Sequence, residues 1–575
     1  MSKEWVIAPT WPGRQEAAAR LGTSSLVAQL LYNRGIREAA PARRFLNPRL
    51  PDLYPPERMP GATEAARLLA DAVRDRQRIV IYGDYDVDGI AGTAILWHTL
   101  SKLGADVDFY VPHRLEEGYG LNPDAVTRLA ADGARMIVTV DCGVTAVEAA
   151  RLARQLNLRL LITDHHTLGS ELPDADAIVH PGIGEGNPIR DPCGAGVAFK
   201  LAWALGQCFS GATRVSAELR EVLVEAVGLV ALGTIADVVP LVDENRIFAR
   251  HGLAGLAASR LPGIAALIQS ASLENARLDS YHVGFVLAPR LNAAGRMGHA
   301  RLAVELLTRA SPERAREISE YLDAQNRARQ ALERRIFKKA CEMVRAARMD
   351  ADGCRGIVLA DEEWHAGVIG IVASRLAERF GRPTILIALE NGSGQGSGRS
   401  VPHFDLHQSL CDCREHLLTF GGHAMAAGLR IKADSIPAFT EAFVARANQM
   451  LTARDLTPAL QIDAEATLGD LTEPLVETVL GLGPFGVGNP RPRFATGWVE
   501  LTAPPRTCGT DGEHLQFTVR DGGCVRKAIG FRRGSDAQAL LDAGRCRLAF
   551  EPILNEYNGR RSVELQVLDI RLPAK

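Results

Sequence analysis

Three apolar runs of strand length each end in carboxylates or imidazoles. Ile79-Val80-Ile81-Tyr82-Gly83 leads into Asp84-Tyr85-Asp86-Val87-Asp88-Gly89, Ile137-Val138-Thr139-Val140 into Asp141-Cys142-Gly143, and Leu160-Leu161-Ile162-Thr163 into Asp164-His165-His166. Ala-rich segments of helical spacing alternate with such runs between about 61 and 310, among them Ala62–Arg74, Ala91–Leu103 and Pro123–Asp132. That alternation is the βαβ signature of a mostly parallel sheet. In such a sheet, ligands bind at the carboxyl ends of the strands.

A fourth cluster, Gly233-Thr234-Ile235-Ala236-Asp237, adds another carboxylate. Taken singly, each cluster has a bland reading. Asp-Gly sequences form turns, and a helix beginning near Ile90 welcomes acids at its N-terminus. Two adjacent imidazoles after an apolar strand have little packing purpose. They point to different sides, so one can ligate a metal while the other faces substrate. Carboxylates gathered at strand ends repel one another unless a cation neutralises them. Asp oxygens with one or two His nitrogens suit Mn²⁺ or Mg²⁺. The chemistry expected is metal-assisted hydrolysis of a phosphate ester.

With 575 residues the chain is too long for one core. A net charge of −2 excludes a globally basic nucleic-acid binder and leaves room only for local anion sites. Ten Cys without a CxxC pair read as reduced thiols of a cytosolic protein; Cys411 and Cys413 have the wrong spacing for a zinc knuckle. No stretch reaches the ~18 apolar residues of a membrane span and no signal segment opens the sequence, so a cytoplasmic protein is expected.

Residues 1–60 carry short, Pro-interrupted helical patterns and read as an N-terminal extension packed on the first domain, 61–310. Apolar positions recur at helical spacing from 312 to 346, one helix of ~50 Å expected as a brace within a connecting segment, 311–350. A second, smaller α/β domain is expected over 351–452. Strands are expected at Gly356–Ala360 and Pro383–Ala388, a helix at Ile369–Phe380 and a Gly/Ser-rich loop at Asn391–Gly398. The last part, 459–575, alternates as half-buried strands do, with a tight turn at Tyr557-Asn558-Gly559, and reads as an OB-like barrel. That barrel is expected to be removable without harm to the carboxylate site.

Together the Asp-x-Asp-x-Asp-Gly loop, Asp-Cys-Gly, Asp-His-His and Gly-Thr-Ile-Ala-Asp resemble the DHH phosphoesterase superfamily. Pro289–Arg296, Gly396-Ser397-Gly398-Arg399-Ser400, Gly421–Gly428, Pro484–Pro490 and Asn555–Arg560 resemble its branch of single-strand-specific 5′→3′ DNA exonucleases. The resemblance implies two Mn²⁺ or Mg²⁺ ions held by Asp86, Asp88, Asp141, His165 and Asp237, with Asp141 as the bridge. Asp84 is either a ligand or a partner behind the ligands. Asp164 is expected to orient a His, and His166 to touch the scissile phosphate. No separate general base is assigned. Two such ions support an in-line displacement at phosphorus.

Arg296, after Asn292-Ala293-Ala294-Gly295, is expected at a small-residue turn that approaches an anion. Ser397, Arg399 and Ser400 are expected to cradle phosphate, with Gly421, Gly422 and His423 offering another close backbone approach. Arg399 and Ser397, with Arg114, are expected to bind a terminal 5′-phosphate. Trp364 reads equally well as core or as base contact. Residues 491–575 hold 14 Lys+Arg against 10 Asp+Glu, and Arg526, Lys527, Arg532, Arg533, Arg560 and Arg561 are candidates for a strand-binding face. Single-stranded DNA is the expected partner. The resemblance implies single-strand-binding protein and a RecQ-like helicase besides, and a monomer is expected. Rival readings are a phosphodiesterase of short oligonucleotides or cyclic dinucleotides and a non-catalytic DNA-binding replication scaffold. Intact carboxylate clusters count against the scaffold.

Overall fold

The computed structural model describes residues 3–113, 117–118, 120–296, 299–557 and 559–573. The side chains of Arg296 and Tyr557 lie outside that description, as do Arg114 and Asn558. The chain forms two compact units. One comprises Val6–Leu322 and Gln461–Lys575, the other Met1–Trp5 and Asp323–Leu460.

In the larger unit five strands form a wholly parallel sheet: β1 Ile79–Gly83, β2 Val107–Tyr110, β3 Met136–Val140, β4 Arg159–Thr163 and β5 Ala177–Val179. The spatial order β2-β1-β3-β4-β5 reverses direction between β1 and β3, the kind of switch point where ligands bind. Every residue of β1 and β3 is buried, which is why these runs are continuously apolar. Ile79 and Ile81 enter a core shared with helices Ala62–Arg74, Val87–Lys102, Gly194–Ser210 and Ala217–Ala236. Val80 and Tyr82 enter a second core on the opposite face.

The terminal barrel belongs to the same unit. Strands Val499–Leu501, His514–Asp521, Cys524–Gly530, Arg560–Arg571 and Arg545–Tyr557 pair in that order, and the last pairs back with the first, closing a ring. Closure removes the free edges that an open sheet would expose.

The N-terminal residues differ from expectation. Val27, Leu30, Leu31, Ala42 and Phe45, from helices Ser25–Asn33 and Ala39–Leu46, are buried in the barrel's own core beside Phe494, Leu548 and Phe550. Residues near Leu50–Met59 pack on the β1–β5 domain, and Phe45 O and Pro48 O meet Arg246 Nε and His251 Nε2 on its helix Asp243–Ala257. The helices that precede the parallel sheet therefore complete a core formed more than 400 residues later.

The smaller unit has a five-stranded sheet: β6 Ile357–Asp361, β7 Thr384–Glu390, β8 Ser393–Arg399, β9 Thr419–His423 and β10 Ala426–Lys432, in the order β9-β10-β8-β7-β6. Only β6 and β7 are parallel. Residues 393–399, expected in a loop, form central strand β8. Its glycines at 394, 396 and 398 face Ile387, Leu429 and Leu406, each of which would come within 2.9 Å of an added Cβ. The neighbours' large side chains occupy the space, so the strand needs no side chains on that face. The helix Pro312–Ala346 begins in one unit and ends in the other; Ala315, Ile318 and Leu322 are buried in the first, and Ile336, Ala340 and Val344 in the second.

Candidate metal centre

Each strand end delivers its acids for a local reason. After β1, Asp86 caps the helix Val87–Lys102, its side chain accepting from the amides of Asp88 (2.9 Å) and Gly89 (3.2 Å). Asp88 points the other way, into the first turn of Gly194–Ser210. There its oxygens accept from Gly194 N (2.5 Å) and Ala195 N (2.9 Å). A helix N-terminus is a ready seat for a carboxylate. Asp141 follows β3 at φ 63°, a left-handed conformation that Asp tolerates better than most residues. Asp237 ends the helix Ala217–Ala236.

Asp88, Asp141 and Asp237 converge on His165. Its Nε2 lies 3.1 Å from Asp141 Oδ1, 3.6 Å from Asp237 Oδ2 and 3.8 Å from Asp88 Oδ2. Donor atoms of Asp84, Asp86 and Asp141 form an adjoining group within 4.8 Å of one another, as do those of Asp141, His165 and His166. Asp141 is common to both. Burial raises the Asp141 carboxyl well above its usual range, and the neighbouring charges of Asp88, Asp86, Asp84 and Asp237 add to it. Burial, then Asp88 and Asp86, push Asp237 up to about 8. Burial and Asp88 also raise Asp86. Burial lowers His165, so its imidazole is neutral and able to ligate. Oxygen-rich donors crowded until they resist ionisation fit divalent cations of the Mn²⁺ or Mg²⁺ kind.

Asp164 does orient a histidine, and the histidine is His166. Asp164 Oδ1 accepts from His166 Nδ1 (2.8 Å) and from the amides of His165 (2.8 Å) and His166 (3.1 Å), while Oδ2 accepts from Val144 N (2.9 Å). Burial alone would raise Asp164, but the hydrogen bond and charge of His166 and these amides outweigh it and hold it low. In return, the same carboxylate overcomes burial and raises His166. Sequence reasoning missed His180. Its Nδ1 accepts from Gly182 N (2.9 Å), so Nε2 carries the proton and donates to His166 O (2.8 Å). His180 follows the apolar run of β5, and the same strand-end pattern would have found it. Asn292 was also missed as a support: its Oδ1 accepts from Val87 N at 3.2 Å.

Several expected anion contacts change character. Asn292–Gly295 lies inside the helix Ala288–Arg296, not in a turn; an added Cβ on Gly295 would stand 2.6 Å from Tyr85 O, so the small residues let this helix press on the acidic loop. The Arg296 side chain and Arg114 fall outside the described residues. Ser397 and Arg399 lie two apart on β8; Arg399 Nη1 donates to Ser397 Oγ (3.2 Å) and Gly398 O (2.7 Å). Both pack on the start of the helix Ala366–Phe380, where a Cβ on Gly370 would meet them at 2.8 and 3.2 Å. Ser400 is buried and donates to Phe404 O (2.6 Å), so its hydroxyl serves its own loop. Gly421, Gly422 and His423 form exposed β9, where Gly422 at φ 135° abuts Ala426 O and Ala427 of its own hairpin. Trp364 is core. Of the six barrel cations, three are engaged within the fold: Arg526 donates to Leu471 O, Arg533 pairs with Asp536 and Asp569, and Arg561 pairs with Glu477.

The "DHH family, N-terminal domain" matches residues 78–234, the "DHHA1 domain" residues 353–449 and the "RecJ OB domain" residues 462–569. The Bacillus subtilis single-stranded-DNA-specific exonuclease RecJ is 39% identical over 96% of this chain and 68% of its own. This chain belongs to the RecJ family. The Escherichia coli RecJ is 34% identical, with 95% of each chain covered. The crystal structure of Thermus thermophilus RecJ in complex with Mn²⁺ superposes with a TM-score of 0.84 at 31% identity, covering 100% of this chain and 80% of that one; its Mg²⁺ complex gives 0.77 at 30%, covering 100% and 79%. The RecJ match spans the parallel-sheet domain, the second α/β domain and the barrel, the architecture read from the sequence.

Proposed function

We propose that this chain is a metal-dependent exodeoxyribonuclease that degrades single-stranded DNA from its 5′ end, releasing 5′-mononucleotides, in DNA repair and recombination. The observation that carries this is the convergence of Asp88, Asp141 and Asp237 on His165 Nε2. We read two ion positions sharing Asp141: Asp84 and Asp86 serve one, and Asp88, His165 and Asp237 the other. Bound there, Mn²⁺ or Mg²⁺ supplies Lewis-acid stabilisation of phosphoryl oxygens and lowers the pKa of attacking water. The protein's residues fix the geometry. The Gly194 and Ala195 amides anchor Asp88, and Asp164 locks the tautomer of His166 so that Nε2 is left for the scissile phosphate. A raised His166 holds its proton longer, and a charged donor to a phosphate oxygen is the stronger one.

Polarity is read from the second α/β domain. Ser397 and Arg399 share one face of β8 because strand side chains alternate, and we assign them the terminal 5′-phosphate. Arg399→Ala is expected to reduce activity far more on 5′-phosphorylated than on 5′-hydroxyl DNA; equal loss on both would remove the assignment. Single-strand-binding protein and a RecQ-like helicase are the partners we expect for a cytoplasmic monomer, by family. The deciding experiment is Mn²⁺-dependent digestion of an end-labelled single strand beside its duplex. Early release of the 5′ label as mononucleotide, with the duplex spared, is expected. Hydrolysis confined to fragments of a few nucleotides would favour a short-oligonucleotide phosphodiesterase.

A further inference from the structure

The turn Gly483-Pro484-Phe485-Gly486-Val487-Gly488-Asn489-Pro490 has no part in the chemistry above. It joins the helix Glu473–Gly481 to the barrel strand Phe494–Ala495, and it packs on the segment that follows Asp237. Leu241 N donates to Val487 O at 2.7 Å. A Cβ on Gly486 would stand 2.8 Å from Leu241 Cδ1, and one on Gly488, at φ 73°, 3.1 Å from Val242 Cγ1 and 3.2 Å from Pro240 Cβ. Ser280 Oγ donates to Phe485 O at 2.5 Å. The turn is itself braced. Asn489 is fully buried; its Nδ2 donates to Leu482 O and Pro484 O (both 2.9 Å), and its Oδ1 accepts from Arg34 Nε at 2.7 Å. Arg246 and Arg250 both donate to Gly483 O.

Opposite this contact sits a strained residue. Val238, directly after Asp237, has φ 62°. A β-branched residue in the left-handed region is an outlier that persists only where its surroundings over-determine it. Val238 is itself exposed, so its own side chain does not hold it there. The fixed points lie on either side. Asp237 N donates to Gly233 O at 2.8 Å, ending the helix. Three residues on, Leu241 is tied to the barrel turn, and Asn245 Nδ2 donates to Pro240 O at 3.0 Å.

We infer that the Gly483–Pro490 turn of the barrel is a positioning element for the metal centre: by fixing Pro240–Val242 it keeps Val238 left-handed and so aims the Asp237 carboxylate at His165. The barrel then has a second task besides holding DNA. This inference rests on Asp237 being a metal ligand.

The test is Mn²⁺ binding by calorimetry on the full chain, alongside melting curves. Gly488→Ala strains the turn at φ 73° and presses it against Val242 and Pro240, and is expected to weaken Mn²⁺ binding roughly 10-fold, the scale of one released backbone strain. Ser280→Ala, a milder change that removes one hydrogen bond to the turn, is expected to weaken it in the same direction by about 2-fold. Val238→Gly removes the strain that the turn must hold. Added to Gly488→Ala, or to Ser280→Ala should Gly488→Ala not fold, it is expected to restore most of the lost affinity. A merely structural role would give no such rescue. Unchanged Mn²⁺ affinity in Gly488→Ala and Ser280→Ala, or a loss that Val238→Gly leaves in place, would overturn the inference. Asp237→Asn separates the two layers: if it binds Mn²⁺ as the parent does, the ligand reading fails, whatever the turn variants show.

Discussion

Gly295→Ala tests how closely the helix Ala288–Arg296 governs the acidic loop. The added Cβ would lie 2.6 Å from the carbonyl oxygen of Tyr85 and 3.6 Å from its Cβ. Unstrained contact needs roughly 3.4 Å, so helix and loop must part by about 0.8 Å. Neither side can give by rotating a side chain, because the obstacle is backbone. Tyr85 lies between Asp84 and Asp86, and Asn292 on the same helix accepts from Val87 N, so the displacement passes directly to proposed ligands. A misplacement near 1 Å costs catalysis about 100-fold, and we expect a loss of about 10- to 100-fold in the rate of Mn²⁺-dependent digestion of single-stranded DNA. Stability should change much less. Overpacking costs about 1–3 kcal/mol, and replacing a helical Gly by Ala returns about 1 kcal/mol. A variant that melts within a few degrees of the parent yet digests far more slowly is the expected result. A rate within 2-fold of the parent (the smallest loss of interest on the scale above) would show that the helix yields without moving the loop, and the reasoning would fail.

Gly194→Ala places a Cβ 2.6 Å from the Oδ1 of Asp141; displacing the shared carboxylate should weaken Mn²⁺ binding about 10- to 100-fold by calorimetry, and parental affinity would count against Asp141 as the bridge. Asp237 and Asp141 are raised by burial first and then by Asp88. Each therefore holds its proton more tightly folded than unfolded, and its contribution is full below the ordinary carboxylate pKa and lost as pH climbs above it, for Asp237 toward about 8. The melting temperature of metal-free protein should fall as pH rises over that window. Saturating Mn²⁺, which binds the ionised form, should remove most of the slope; a flat metal-free profile would contradict this. Lys200 Nζ donates to Glu244 Oε1 (2.7 Å) and Tyr54 O (2.6 Å) in the core. Lys200→Met should cost about 3–5 kcal/mol by leaving Glu244 buried and unpaired, and Lys200→Met with Glu244→Gln should recover most of it in urea unfolding. Truncation at 459 is expected to lose Mn²⁺ affinity as well as DNA affinity, since it removes both the Gly483–Pro490 turn and the core that Val27, Leu31 and Phe45 enter.

Where the determining forces are local, the sequence was a reliable guide. The helices Ala62–Arg74 and Pro312–Ala346 and the strand Met136–Val140 occupy the expected residues, because unbroken apolar periodicity specifies its own element. The acidic strand ends were legible because a parallel sheet brings the carboxyl ends of its strands, and the acids that follow them, to the same edge. The resemblance had set His165 among the metal ligands and His166 toward the phosphate, but the residues alone left open which histidine Asp164 holds; the structure pairs it with His166. Adjacent histidines look alike in sequence, and only the path of the chain after β4 decides which one turns inward.

Segments whose conformation is supplied by neighbours were misread. Residues 393–399 carry no apolar alternation, because Ile387, Leu429 and Leu406 fill the face that the glycines vacate. Asn292–Gly295 suggested a turn, yet its small residues serve a helix pressed on Tyr85. Ser400 suggested a phosphate ligand, yet its hydroxyl closes its own loop. The sequence alone determined the parallel sheet, the long helix, the barrel and the acids at the strand ends, since periodicity and strand-end chemistry act within a few residues. The tertiary structure alone decided that the N-terminal helices complete the barrel, and that a barrel turn packs on Pro240–Val242, because those contacts join residues hundreds of positions apart through packing that neither segment encodes by itself.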